Sequence, residues 1–206
     1  MIEEFAETLQ RIDDKIDGVE PGPAGELLDK AFLDLTGAGA EAVSQLSEDD
    51  LMARLTLDGP THTVRIKAAM LVALLQQAGE AHAIGERDAE AEACWLKALN
   101  LLLVLQMQDL DFEMPEFVPT IDLLRSQLGE LPLRTEAALW RHYERIGAYA
   151  KSEDALFSLL AAEPDNDVLK TEARAFYDRL LRQSDAALES GNLPRAEVRE
   201  GMAKVK

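Results

Sequence analysis

Three observations predict an all-α fold for this chain of 206 residues. Leu, Ala and Glu are common while Val, Ile, Thr and Tyr are sparse, a composition that favours helix over strand. Apolar residues recur at spacings of three and four, which is the period of an amphipathic helix. Glycines and prolines fall between these stretches, where helices begin and end. Because 47% of the residues are hydrophobic, the helices can bury a sizeable core.

The first predicted helix covers residues 2–16. Its apolar residues form a narrow seam made of Ile2, Phe5, Leu9, Ile12 and Ile16. Two heptads are too short for a stable free helix, so the seam is expected to dock on the body of the protein or to pair with a second copy. The glycines and prolines of residues 18–23 predict a linker after it.

Short helices follow around residues 27–35 and 42–46, and a third opens after Ser47 and runs through Leu51 and Leu55. Asp58-Gly59-Pro60 predicts a turn. These elements form an irregular N-terminal helical region, residues 1–60. The remainder, residues 61–206, is expected to form a domain of helix pairs with capping helices. The sequence leaves open whether residues 1–60 belong to that same domain.

Residues 75–105 predict two antiparallel helices in close contact. Leu75, Ala78, Gly79 and His82 share one stripe of the first helix, and the second carries Ala91, Trp95 and Ala98. Small residues let the two backbones approach, so Trp95 is expected to fill the slot beside them. The segment 109–119 predicts a loop that packs over the helix ends, because it is richer in apolar residues than a solvated loop.

A second helix pair is predicted over residues 133–166. Its first helix and turn contain Leu139, Trp140, Tyr143, Gly147 and Tyr149, and its second helix contains Ser152, Leu156 and Leu159. Pro164 ends this second helix. A helix through residues 169–180 and a last helix after Pro194 are expected to cap the pair.

Both helix pairs resemble the tetratricopeptide (TPR) repeat. Tyr143, Gly147 and Tyr149, with Pro164 seventeen residues after the glycine, fit that pattern, whereas Trp140 and Ser152 stand where it prefers small residues. The resemblance implies a right-handed α–α superhelix with a concave groove, interrupted by the insertion at 106–132. The segments KALNLLL, ERIGAYAKSEDALFSLL, FYDRLL and SGNLPRAEVREGM also look like those of an uncharacterised bacterial family of TPR-like proteins, which brings no assigned activity.

The net charge of −18 argues against two classes of partner. An acidic surface repels phosphates and anionic lipids, so neither nucleic-acid nor membrane-surface binding is expected. The longest apolar run, Leu101 to Leu105, is too short to cross a bilayer. The N-terminus is acidic and amphipathic, unlike a signal peptide, so we expect a cytoplasmic protein.

Residues suited to catalysis or metal binding do not cluster in the sequence. His62, His82 and His142 lack metal-ligand spacing, and His142, beside Arg141, is expected at the surface. Cys94 is the only cysteine, which excludes an internal disulfide. Acidic pairs fall at helix starts and in loops, and no glycine-rich phosphate loop is present. We therefore expect no catalytic residue, no cofactor, no metal and no enzymatic activity.

One surface feature suggests binding. Arg134, Arg141 and Arg145 lie at i, i+7 and i+11 of a predicted helix, so they form one stripe. In a TPR-like fold this stripe would face the groove and could hold an acidic peptide or a C-terminal carboxylate. The alternative is a solvated surface on which these arginines pair with acids such as Glu130 and Glu144.

Three functions remain open from the sequence. The leading hypothesis is a non-enzymatic interaction or scaffold protein that holds an unknown protein or peptide in its helical groove. The second is a structural homodimer that forms through the apolar seam of residues 2–16. The third is a small-molecule-binding regulator, with a pocket between the N-terminal helices and the repeats.

Overall fold

The computed structural model describes residues 1–56, 61–108 and 112–205. Within these ranges the chain forms twelve α-helices and no strand, which confirms the predicted all-α class. The predicted turn at 58–60 and the start of the loop at 109 lie outside the described residues. The helices are α1 (Ile2–Asp17), α2 (Pro21–Thr36), α3 (Ala40–Gln45), α4 (Glu48–Thr56), α5 (Thr61–Ile84), α6 (Asp88–Gln108), α7 (Ile121–Ser126), α8 (Leu133–Arg145), α9 (Tyr149–Ala162), α10 (Asp167–Leu181), α11 (Asp185–Ser190) and α12 (Arg195–Lys204).

The chain divides into two compact units, residues 1–129 and residues 130–206. Sequence alone left open whether residues 1–60 form part of a larger domain. In the structure α1, α2 and α4 all pack on α5, so the helices of residues 1–60 share one unit with α5, α6 and α7. The second unit contains α8 to α12.

The first unit is built around α5. Residues 68–76 of this helix are all buried, which covers every direction around its axis. The neighbours that cover it are α6 along its length and α1, α2 and α4 elsewhere. A helix that is apolar on all sides requires this arrangement, because any uncovered face would expose hydrocarbon to water.

The close contact predicted between Gly79 and Trp95 is confirmed. A Cβ placed on Gly79 of α5 would overlap the indole ring of Trp95 of α6. Trp95 is half-buried, and its indole nitrogen is buried with no hydrogen-bond partner among the described residues. The ring therefore occupies its slot through shape and apolar contact alone.

The apolar seam of α1 docks within the first unit. Leu9, Ile12 and Ile16 are buried, and α1 contacts both α2 and α5. Phe5 packs on Phe117 with ring centroids 5.1 Å apart, so the described part of the predicted loop does cover a helix end. Ile2 remains 41% exposed. A homodimer that used the whole seam would first have to undock α1.

The predicted linker at 18–23 is shorter than expected, because α2 begins at Pro21. Proline is tolerated in the first turn of a helix, where its missing N–H has no partner to lose. The chain instead turns from α1 into α2 at Val19, whose φ of 54° lies in the left-handed region. Pro21 thus starts a helix here and does not mark a linker.

The second unit is organised by the α8–α9 pair, with α10 packed on α9 and α12. The Ser152 hydroxyl donates a hydrogen bond of 2.9 Å to the carbonyl of Trp140 and so ties α9 to α8. The Trp140 ring meets the fully buried Phe176 of α10 at 5.9 Å. Gly147 has a φ of 77°, so the turn between α8 and α9 uses a conformation that glycine adopts readily.

We predict that Gly79→Ala destabilises the protein by about 1–3 kcal/mol, because the new methyl group must displace the Trp95 indole. Gly25→Ala is the matched control: Gly25 is also helical, and a Cβ there meets nothing within 4 Å. The control should stabilise the protein by about 0.5–1 kcal/mol through helix propensity. Urea unfolding followed by circular dichroism measures both effects. Equal stabilisation by the two substitutions would show that Gly79 and Trp95 are not in close contact.

Candidate functional site

The predicted binding residues lie on α8, which has one strongly buried face. The helix starts after Pro132 and ends at Arg145, and Ile146 caps it before the left-handed Gly147. Its buried residues anchor it within the protein: Thr135, Glu136, Leu139, Trp140, His142 and Tyr143. Because these residues fix the rotation of the helix, the opposite face is held outward.

Arg134, Arg141 and Arg145 are all exposed on this outward face, and we call them the arginine stripe. At 100° per residue, Arg141 and Arg145 lie within about 20° of Arg134 around the helix. The stripe extends about 16 Å along the axis, at 1.5 Å per residue. The structure therefore brings these three residues onto one solvent-exposed face, as their spacing predicted.

Glu144 was expected as a neutralising neighbour of the stripe, but it is bound elsewhere. Arg179 of α10 donates two hydrogen bonds to its carboxylate, at 2.6 and 2.8 Å. Such a bidentate pair holds the carboxylate in a fixed orientation. Glu144 thus serves to tie α8 to α10.

The charge of the chain is unevenly divided between the two units. Residues 1–129 contain 25 of the 39 acidic residues and 9 of the 21 basic ones, whereas residues 130–206 contain 14 and 12. The unit that carries the arginine stripe is therefore close to neutral. The excess of acidic over basic residues lies mainly in residues 1–129, outside the unit that contains the stripe.

The histidines do not form a site within the part of the chain that the structure describes, where no cluster of three or more His, Cys, Asp and Glu could hold a metal. The prediction that His142 lies at the surface is wrong. It is 3% exposed because it follows Arg141 by one residue, which turns it about 100° onto the buried face. His82 is half-buried, and burial, followed by the nearby Arg87, lowers its pKa.

Cys94 lies in a cavity of about 550 Å³ in the first unit, together with His82 and Lys97. Burial raises the pKa of its thiol to about 11, so the thiol stays protonated at neutral pH and is a poor nucleophile. Lys97 donates hydrogen bonds of 3.0, 2.8 and 2.7 Å to the carbonyls of Val43, Ser44 and Leu46. It therefore satisfies the carbonyl end of α3.

Glu153 and Tyr177 form a partly buried polar pair that sequence reasoning missed. The Tyr177 hydroxyl donates a hydrogen bond of 2.7 Å to the Glu153 carboxylate. Burial raises the pKa of Glu153, and burial together with the bond to Glu153 raises the pKa of Tyr177. A Cβ on Gly201 would overlap both groups, so α12 closes tightly over them. The pair thus joins α9, α10 and α12. No local pattern in the sequence connects residues 24 positions apart.

We predict that Glu153→Gln stabilises the protein relative to wild type increasingly as the pH rises from about 4 to about 7. The raised pKa of Glu153 means that its contribution to stability is complete below the ordinary glutamate pKa and is lost as pH rises through the folded value. Glutamine keeps an acceptor for Tyr177 and has no charge to bury. Urea unfolding across this pH range measures the difference, and Glu189→Gln, the same change at an exposed position of the same unit, is the control. A variant that tracks wild type at every pH would contradict the prediction.

Comparison with known protein families gives a match over the whole sequence. The chain matches the family described as "Family of unknown function (DUF6483)" over residues 1–206. No curated protein and no solved structure matches it. None of the described helices has the length and apolar content needed to span a membrane. The match covers the full sequence, and the chain therefore belongs to this family of unknown function, DUF6483.

Proposed function

We propose that this protein is a non-enzymatic interaction protein of the cytoplasm that binds a carboxylate-bearing segment of a protein partner on the arginine stripe of α8. The observation that carries the proposal is the exposure of Arg134, Arg141 and Arg145 along one face of an anchored helix. Arginine forks match the geometry of carboxylates and bind them through two parallel hydrogen bonds.

The length of the stripe favours an extended peptide over a single ion. Arg141 and Arg145 are one helical turn apart, while Arg134 is about 10 Å further along the axis. In this arrangement the close pair holds a C-terminal carboxylate, and Arg134 binds an acidic side chain upstream. An acidic segment of three or four residues spans this distance, because an extended chain advances about 3.3 Å per residue.

The contacts that hold α8 in place favour binding, because little conformational entropy of the helix is lost when a partner binds. Trp140 packs on Phe176, Ser152 bonds across to α8, and Arg179 clamps Glu144. Only the arginine side chains themselves need to be ordered when a partner binds. In our proposal the α8–α9 pair is TPR-like, and the stripe faces the groove of that repeat.

Affinity capture from the native cytoplasm, followed by mass spectrometry, tests the proposal. We predict that a captured partner is lost when Arg134, Arg141 and Arg145 are all changed to Ala. The matched control changes Arg174, Arg182 and Arg199 to Ala, three exposed arginines of the same unit with the same change in net charge. The partner should be retained by this control.

A synthetic peptide from the captured partner then gives the affinity by fluorescence anisotropy. The stripe variant should bind it at least about tenfold more weakly, the loss expected when charge-assisted pairs are removed. Changing the same arginines to Lys should restore only part of the affinity, because lysine keeps the charge without the fork. If every captured protein binds the stripe variant and the control variant equally, the proposal is wrong.

A further inference from the structure

The first unit has a groove of about 1030 Å³ beside the first turns of α1, and we call it the α1–α5 groove. Its walls are the start of α1, the start of α5 and the segment 112–117. Clefts that hold drug-sized ligands measure about 300–1,000 Å³, so this groove has room for several large side chains.

Most of the described residues that line the α1–α5 groove are apolar. Ile66 of α5 is 8% exposed, whereas Ile2 is 41% exposed and is the most exposed residue of the α1 seam. The apolar lining comes from all three walls and includes Ile2, Ala6, Ile66, Phe112, Met114 and Phe117. A partner that fills the groove would therefore remove a continuous hydrocarbon surface from water.

Two ring contacts fix the segment 112–117 against both helices. The Phe117 ring packs on Phe5 of α1, with centroids 5.1 Å apart. The Phe112 ring meets His62 of α5 edge-on, with centroids 6.3 Å apart and planes at 72°. Because both ends of the segment are held, the groove is already formed before a partner binds, which lowers the entropic cost of binding.

The walls of the groove favour a helical occupant. An apolar groove beside helices is the kind of surface on which an amphipathic helix lays its apolar face. An extended segment that adds to a sheet requires a strand edge, and the described residues of this chain form no strand.

The charges of the lining favour a basic partner. Three exposed carboxylates line the groove, those of Glu3, Glu113 and Glu116. Arg65 also lines it, but this side chain already interacts within the protein. The whole unit has 25 acidic and 9 basic residues, so its field attracts a basic segment and repels an acidic one.

The same charges argue against a second copy of this chain as the occupant. A first turn of α1 that entered the groove of another copy would bring Glu3, Glu4 and Glu7 toward Glu113 and Glu116. Like charges placed together across an interface are unfavourable.

We propose that the α1–α5 groove binds a basic amphipathic helix of a protein partner. Large apolar side chains of that helix, spaced by three and four residues, contact Ile2, Ile66 and Met114. Its Lys or Arg residues pair with the exposed carboxylates of the lining. This surface lies in the first unit and takes a partner whose charge is opposite to that of the peptide proposed for the arginine stripe.

Selection from a displayed library of random peptides of about 16 residues, long enough for about four helical turns, tests the proposal with the full chain. Peptides that the arginine-stripe variant no longer binds report on the stripe, so only those that this variant retains concern the groove. We expect the retained peptides to be basic and to carry large apolar residues at helical spacing. Synthetic copies should become helical on binding in circular dichroism. Recovery of no such peptide would overturn the proposal.

Paired apolar variants locate the binding of a selected peptide, measured by fluorescence anisotropy. Ile2→Ala with Met114→Ala should weaken it at least about tenfold, because two large side chains are removed from the contact. Leu33→Ala with Val104→Ala is the matched control, since these residues are 52% and 39% exposed in the same unit and lie outside the groove. The control should change the affinity less than about twofold. Equal weakening by the two pairs would overturn the proposal.

Paired charge variants separate the groove from general attraction to an acidic surface. Glu3→Gln with Glu113→Gln should weaken the peptide about two- to fivefold at low salt, and the effect should shrink at high salt. Glu26→Gln with Glu92→Gln removes the same charge from exposed positions of the same unit outside the groove and should have less effect. Equal effects of the two pairs would contradict pairing with the carboxylates of the lining.

Hydrogen exchange of wild type locates the peptide even if a groove variant unfolds. The peptide should slow exchange in α1 and in the segment 112–118. Slower exchange confined to other segments would overturn the proposal.

Other occupants of the groove give different results. A dimer that light scattering detects and that Ile2→Ala with Met114→Ala dissociates would identify a second copy. Binding of wild type, and not of this variant, to vesicles of equal parts phosphatidylcholine and phosphatidylglycerol would identify a membrane surface. Either result would overturn the proposal.

Discussion

The structure of the first unit depends on the burial of α5 in every direction. Residues 68–76 place apolar or amide side chains all around the helix axis, so no face can be left to water. This requirement brings α6 to one side and α1, α2 and α4 to the others. It also explains why Leu9, Ile12 and Ile16 serve a docked helix: the seam of α1 is one of the surfaces that cover α5.

The division of charge gives the two units different binding chemistry. The first has 25 acidic and 9 basic residues and contains a cavity lined by carboxylates, while the second is almost balanced and exposes the arginine stripe. The net charge of −18 therefore describes neither surface correctly. Acidic ligands are repelled mainly by the first unit, and exposed charges more than about 10 Å apart are largely screened at physiological salt. The overall charge is therefore no argument against the proposed binding of an acidic peptide near Arg141.

Local spacing predicted those features that depend on one helix or on two helices adjacent in the chain. The arginine stripe, the seam of α1 and the contact of Gly79 with Trp95 all follow from a period of 3.6 residues. The orientation of His142 was mispredicted because charged neighbours suggested exposure, although its helical phase placed it among the buried residues. The pocket lined by Asp13, Glu80 and Glu116 could not be predicted at all. Asp13, Glu80 and Glu116 are far apart in sequence, and only the packing of α1 on α5 makes Asp13 and Glu80 neighbours.

The polar groups of this protein differ in whether the fold itself satisfies them. Lys97 satisfies the end of α3, Arg179 clamps Glu144, and Glu153 accepts from Tyr177, so each of these groups has a structural role. The amide oxygens of Gln76 and Gln77, in contrast, are buried with no hydrogen-bond partner among the described residues. The indole nitrogens of Trp95 and Trp140 are buried in the same way. Both units therefore bear the cost of unpaired polar atoms at positions where close packing stabilises the fold by more than that cost.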